Sequence, residues 1–147
     1  MPGSNLQLGS ESDYLAYFIE NYCRQVIYTN DGIRIHFRKH HFYHAFFESD
    51  LSDKDTFSLA RACRMPDILP ILQSPSAECR CGWDNKTRKF SASKRVAFLA
   101  DPFVVVVLLK RNKKTRQIQG EFITCYPAKP RTYQLILQNP RWDASLI

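Results

Sequence analysis

Phe103-Val104-Val105-Val106-Val107-Leu108-Leu109 is apolar at every position and contains neither Gly nor Pro. A run this short cannot cross a bilayer, which takes ~20 apolar residues, so it reads as a strand at the centre of a sheet with both faces covered. Further strands are expected on both sides of it, at Arg88 to Phe90, Arg95 to Leu99, Glu121 to Tyr126 and Tyr133 to Leu137, with a turn at Gly82-Trp83-Asp84-Asn85-Lys86. The links are too short for helical crossovers, which implies antiparallel pairing. Lys110 to Arg116 follows the central run and reads as a hairpin tip carrying Lys110, Arg111, Lys113, Lys114 and Arg116.

The first half has a different period. Leu15, Phe18, Ile19, Tyr22 and Val26 recur at helical spacing, after a lead-in over residues 1–12 that reads as disordered, with a helix cap near Ser12 or Asp13. Ser52-Asp53-Lys54-Asp55 reads as the start of another helix, continued by Phe57, Leu59, Ala60, Cys63 and Arg64. Pro66 ends that helix or begins the next, and Asp67 to Leu72 adds a short apolar turn or two. The fold class is therefore α+β, with N-terminal helices packed on one face of a curved antiparallel sheet and residues 13–147 as one domain.

Between these halves lies Gly32 to Glu48, GIRIHFRKHHFYHAFFE. Ile33, Ile35 and Phe37 alternate with Arg34, His36 and Arg38, which is a strand with one apolar and one cationic face. From His40 the spacing becomes helical, placing His41, His44 and Glu48 at i, i+3 and i+7 beside Phe42, Ala45 and Phe46. His36, His40, His41 and His44 are all the histidines of the chain. Imidazole both accepts and donates protons near neutral pH, so this junction is the place to look for acid–base chemistry.

Charge and cysteine content narrow the classes. Residues 1–75 hold 7 Lys/Arg against 9 Asp/Glu, whereas residues 76–147 hold 14 against 5, so the second half is +9. Such a field favours polyanions, nucleic acid first. The five cysteines, Cys23, Cys63, Cys79, Cys81 and Cys125, are odd in number and follow no signal segment, from which a reduced, cytoplasmic protein is expected. Cys79 and Cys81 are one residue apart, which is not zinc-knuckle spacing, and no cofactor is expected.

Helices followed by strands, with Lys94-Arg95-Val96, the buried Val run and Phe122-Ile123-Thr124-Cys125-Tyr126, resemble the small ribonuclease superfamily of barnase, EndoU, the tRNA-cleaving colicins and the RelE toxins, its phage-associated branch most closely. The resemblance covers roughly His36 to Trp142 and is one of pattern and order. It implies a catalytic cleft formed by His41 or His44, Arg95, Thr124 and Tyr126. It also implies metal-independent RNA cleavage leaving 2′,3′-cyclic phosphate ends, and a toxin restrained by an antitoxin or immunity protein.

The residues offer that chemistry independently. Cleavage needs a base for the 2′-hydroxyl, an acid for the departing oxygen and cations around phosphorus. His41 and His44 share a helical face, and Arg95 can clamp phosphate through two N–H groups. Strand alternation puts Phe122, Thr124 and Tyr126 on one face and Ile123 and Cys125 on the other. Arg61, Lys94 and the Lys110 to Arg116 cations are candidate RNA contacts, although Arg61 and Arg64 also suit acidic neighbours. Other readings stay open: satisfied histidines on an aromatic core helix, a His40/His44/Glu48 metal site, a non-catalytic RNA-binding module, or a basic surface that docks an acidic protein.

Overall fold

The computed structural model describes residues 3–49 and 56–147. Its strands are β1 (Ile27–Tyr28), β2 (Arg34–His36), β3 (Phe47–Glu48), β4 (Thr56–Phe57), β5 (Glu78–Arg80), β6 (Gly82–Asp84), β7 (Lys89–Ser91), β8 (Val96–Ala100), β9 (Phe103–Arg111) and β10 (Ile118–Pro127). The helices are α1 (Glu11–Phe18), α2 (Lys39–Ala45), α3 (Leu59–Ala62), α4 (Ile68–Gln73) and α5 (Pro130–Leu137), with a π turn at Ile19–Cys23 and 3₁₀ turns at Met65–Asp67 and Ala144–Leu146. Six strands form the main sheet in the order β1-β2-β10-β9-β8-β5, and β3–β4 and β6–β7 are separate pairs. The protein is α+β, and among the described residues no helix is long and apolar enough to cross a membrane.

The all-apolar run is β9, between β10 and β8. Phe103, Val105, Val107 and Leu109 face the main core, whereas Val104 and Val106 face a second cluster with Ala97, Leu99, Ala128 and Tyr133. Two covered faces explain why the run has no polar residue. Phe18 of α1 sits at the middle of the main core, its ring centroid between 5.6 and 6.0 Å from those of Tyr22, Phe37, Phe42, Phe46 and Phe122. Helices α1, α2 and α4 thus close one face of the sheet through aromatic packing.

Several expectations need correction. Tyr133 to Leu137 is not a strand but the end of α5, whose first helical residue is Pro130. Tyr133, Ile136 and Leu137 pack on the sheet at i, i+3 and i+4 while Leu135 is exposed, so the helical period overrides the apparent alternation. Helix α5 also covers the face opposite α1, so the helices do not all lie on one side. The sheet is antiparallel except where β2 runs parallel to β10, a pairing that returns from Glu121 to His36 across most of the chain. Trp83 lies in a strand, and the turn it was assigned to begins after Asp84.

Residues 3–10, expected to be disordered, lie against the helical layer: Leu6 N donates to Cys63 O at 2.8 Å, and Tyr14 Oη donates to Leu6 O at 2.8 Å. Asp67 draws this segment in by accepting from Gly3 N and from Arg64 Nε at 2.9 and 2.7 Å. The Ser52 to Asp55 helix start lies outside the described residues. Phe57, assigned to that helix, is in β4, and α3 begins at the Ser58 cap, whose hydroxyl accepts from Arg61 N. An extended backbone at Phe57 lets its ring reach Tyr14, Phe42 and Phe47. Val26 is exposed beyond the π turn rather than on the first helix.

Candidate active site

Because Ile33, Ile35 and Phe37 are buried, Arg34, His36 and Arg38 project from the other side of the chain. Parallel pairing places Gln119 opposite Arg34 and Glu121 opposite His36. From the other side, β9 sets Lys110 opposite Gln119 and Leu108 opposite Glu121. Paired strands are ~4.8 Å apart and registered side chains share a face, so His36 and Glu121 stand side by side. With Arg38, Lys110 and Gln119 they wall a shallow depression of about 200 Å³. Gln119 Oε1 accepts from His36 Nε2 at 3.2 Å and restrains its ring. A larger cleft of about 750 Å³ shares Gln119 and is lined by Tyr28, Arg34 and Trp142 among others.

Gly120 lets the three strands beneath this depression pack closely on their core side. A Cβ there would come 2.7 Å from Leu108 O and 2.8 Å from Ile35 Cδ1, so only glycine lets β2 and β9 approach β10 together.

His41 is the third residue of α2, lies beside Phe122 of β10 with ring centroids 6.1 Å apart, and is 8% exposed. Its Nδ1 accepts the Arg38 main-chain N–H at 2.9 Å, closing the first turn of α2. Burial, the neighbouring histidines and Arg38 push its pKa down to about 4, against a weaker opposing pull from Glu121. The ring is therefore neutral at pH 7. Since Nδ1 is an acceptor, the proton sits on Nε2, which faces Glu121 Oε1 at 3.8 Å. Arg38 Nε lies 3.7 Å from the same oxygen. The carboxylate thus lies between a neutral N–H and a guanidinium, both beyond hydrogen-bond distance, next to His36.

Other sequence-derived candidates divide. His44 is on the exposed side of α2, and Glu48 is in β3 rather than one turn further along the helix. Glu48 lies 3.8 Å from Arg61 Nε, so the proposed His41/His44/Glu48 face does not exist. Among the described residues no three His, Cys, Asp or Glu are gathered as metal ligands would be.

A β-bulge between Phe122 and Thr124 changes the expected faces of β10. Phe122 and Cys125 enter the main core, while Gln119, Glu121, Thr124 and Tyr126 share the face of Leu108, Val106 and Val104. Thr124 is 5% exposed and its buried hydroxyl has no partner among the described residues, so in this arrangement it does not touch a substrate. Tyr126 lies under the Arg61 guanidinium, 5.8 Å from ring centre. Burial raises its pKa, and the Arg95 and Arg61 charges partly offset that, which places Arg95 within electrostatic reach.

The cationic tip also splits. Lys110 belongs to the depression, but Arg111 is structural: its guanidinium donates to Ile147 O, Ala144 O and Arg116 O. Lys113, Lys114 and Arg116 are exposed, and Lys94 is paired with Asp84 at 2.9 Å. Arg61 Nη1 donates to Ala45 O, so it too is tied into the fold.

Sequence reasoning did not single out His36, Arg38, Gln119 and Glu121 as a site. The alternation of Arg34, His36 and Arg38 was visible, but the parallel partner that supplies Glu121 lies about eighty residues away and leaves no local signal. The chain matches no family model, no curated protein and no solved structure.

Proposed function

We propose that the protein is an endoribonuclease working by proton transfer, with Glu121 and His36 as the reacting pair. The observation that carries this reading is their registered placement on adjacent strands in a depression walled by Arg38 and Lys110. Glu121 takes the proton of a ribose 2′-hydroxyl, and the 2′-oxygen attacks the adjacent phosphorus. The bond to the 5′-oxygen breaks, and protonated His36 supplies that oxygen with its proton. The products are a 2′,3′-cyclic phosphate and a 5′-hydroxyl.

Arg38 and Lys110 offset the charge of the five-coordinate phosphorus. His41 turns Nε2–H toward Glu121 at 3.8 Å and closes α2 through Nδ1, which leaves it no free lone pair for catalysis. The +9 second half draws RNA to this face. A toxin held by an antitoxin or immunity protein is the setting that the resemblance to small ribonucleases suggests.

The test is cleavage of a labelled single-stranded RNA in the presence of EDTA. General acid–base groups contribute about 10²- to 10⁴-fold, so Glu121→Gln and His36→Ala should each lower kcat at least a hundredfold while RNA binding changes little. Wild-type protein that binds RNA without cleaving it would favour the alternative, a non-catalytic RNA-binding module.

A further inference from the structure

The β6–β7 hairpin exposes two aromatic rings. Trp83 and Phe90 are cross-strand partners with centroids 5.2 Å apart, yet they are 43% and 48% exposed. A cross-strand aromatic pair steadies an isolated hairpin, but that role does not account for the charge around it. Between Gly82 and Arg95 the chain has Lys86, Arg88, Lys89, Lys94 and Arg95 against a single acid, Asp84, which is already paired with Lys94. The hairpin thus carries an exposed aromatic pair and a net charge of +4, with Lys89 registered opposite Asp84 on the face away from the rings.

The hairpin is also fixed beside Arg95. A Cβ on Gly82 would lie 1.9 Å from Arg95 O, so the base of β6 presses directly on the Arg95 backbone. Trp83, Asp84, Asn85, Lys86, Lys94 and Arg95 line a hollow of about 360 Å³, in which the Asp84 carboxylate is paired with Lys94 and leaves Lys86 and Arg95 as its unmatched cations. Arg95 directly precedes β8, whose Val96 is registered opposite Val107 of β9, and the next β9 residue, Leu108, is registered opposite Glu121.

We propose that this hollow is a nucleotide subsite for single-stranded RNA, with a base stacked on the Trp83 indole and its phosphate held by Arg95 and Lys86. The proposal rests on the ribonuclease reading, since it treats the hairpin as an extension of the catalytic face. Stacking on a side chain needs an unstacked base, and duplex RNA does not present one. The net positive charge of the hairpin selects a polyanion over an apolar partner.

The experiment titrates full-length Glu121→Gln protein, in which cleavage should be lost, and follows tryptophan fluorescence together with the anisotropy of end-labelled RNA, which reports affinity in variants that lack Trp83. The probes are a mixed-sequence single-stranded RNA 12-mer, its duplex, and vesicles of phosphatidylglycerol and phosphatidylcholine. Single-stranded RNA should quench the fluorescence and bind at least tenfold more tightly than duplex. Adding Trp83→Ala should weaken binding about 5- to 100-fold, as for loss of one stacked base. Trp83→Phe keeps an aromatic face and should retain affinity within about threefold while removing the quenched signal.

Unchanged affinity in Trp83→Ala overturns the subsite, as does a response to vesicles and not to RNA. Should wild-type protein fail to cleave RNA but bind it through Trp83, the catalytic reading falls and the subsite stands. Cleavage with Trp83-independent binding has the opposite meaning.

Discussion

A histidine with a pKa of about 4 makes folding depend on pH in a defined window. Between about 4 and the ordinary 6.5 the unfolded chain takes up a proton that folded His41 refuses, so stability falls as pH drops through that range and is level above it. The gap corresponds to about 3 kcal/mol. Asp67 acts lower: burial raises its pKa, but hydrogen bonds from Arg64, Gly3 and Ser4 outweigh this and hold it below 3.8, so its contribution is lost only beneath that value. His41→Gln keeps an acceptor for the Arg38 N–H and does not titrate, so denaturant midpoints measured from pH 7 to pH 4 should decline less than in the wild type. Thr124 gives a second test. Its buried hydroxyl has no partner among the described residues, so Thr124→Val should leave stability equal or raise it by about 1 kcal/mol, with RNA cleavage unchanged. Lost activity in that variant would return Thr124 to the site. Residue types were legible in the sequence, since the histidine-rich junction does lie beside the depression. Protonation was not, because the His41 tautomer depends on which main-chain N–H its Nδ1 meets.

At the scale of elements, the central strand and the amphipathic β2 were readable because their periods are local. Three features were not. The parallel β2–β10 pair is long-range, the bulge at Ile123 shifts faces without altering composition, and α5 carries alternating apolar residues that fit both periods. The first two create the site: one brings Glu121 to His36, and the other keeps Tyr126 on the same face as Glu121 despite the odd spacing. Gly120 joins these strands, and Gly120→Ala must push Ile35 or Leu108 aside. It should cost about 1–3 kcal/mol, as overpacking does, and should reduce cleavage beyond what the stability loss explains. Thermal unfolding together with kcat on folded protein checks both parts.

Across the whole molecule, charge and chemistry are separate. The depression proposed for catalysis draws on β2, β9 and β10, while Lys113 and Lys114 sit on the exposed turn between β9 and β10. Lys113→Glu with Lys114→Glu should weaken RNA binding and reduce its salt dependence, leaving kcat at saturation within about twofold. Arg111→Ala should behave differently and lower stability, because Arg111 holds the C-terminal turn through Ala144 O and Ile147 O and ties it to the β9–β10 link through Arg116 O. The central claim is that Glu121 and His36 transfer protons during attack by a 2′-hydroxyl. It is tested most directly by the chemistry of the ends made when purified protein is incubated with single-stranded RNA in EDTA. The account predicts 2′,3′-cyclic phosphate and 5′-hydroxyl ends from the wild type, and at least a hundredfold fewer from Glu121→Gln. Intact RNA, 5′-phosphate ends, or an equally active Glu121→Gln protein would contradict it.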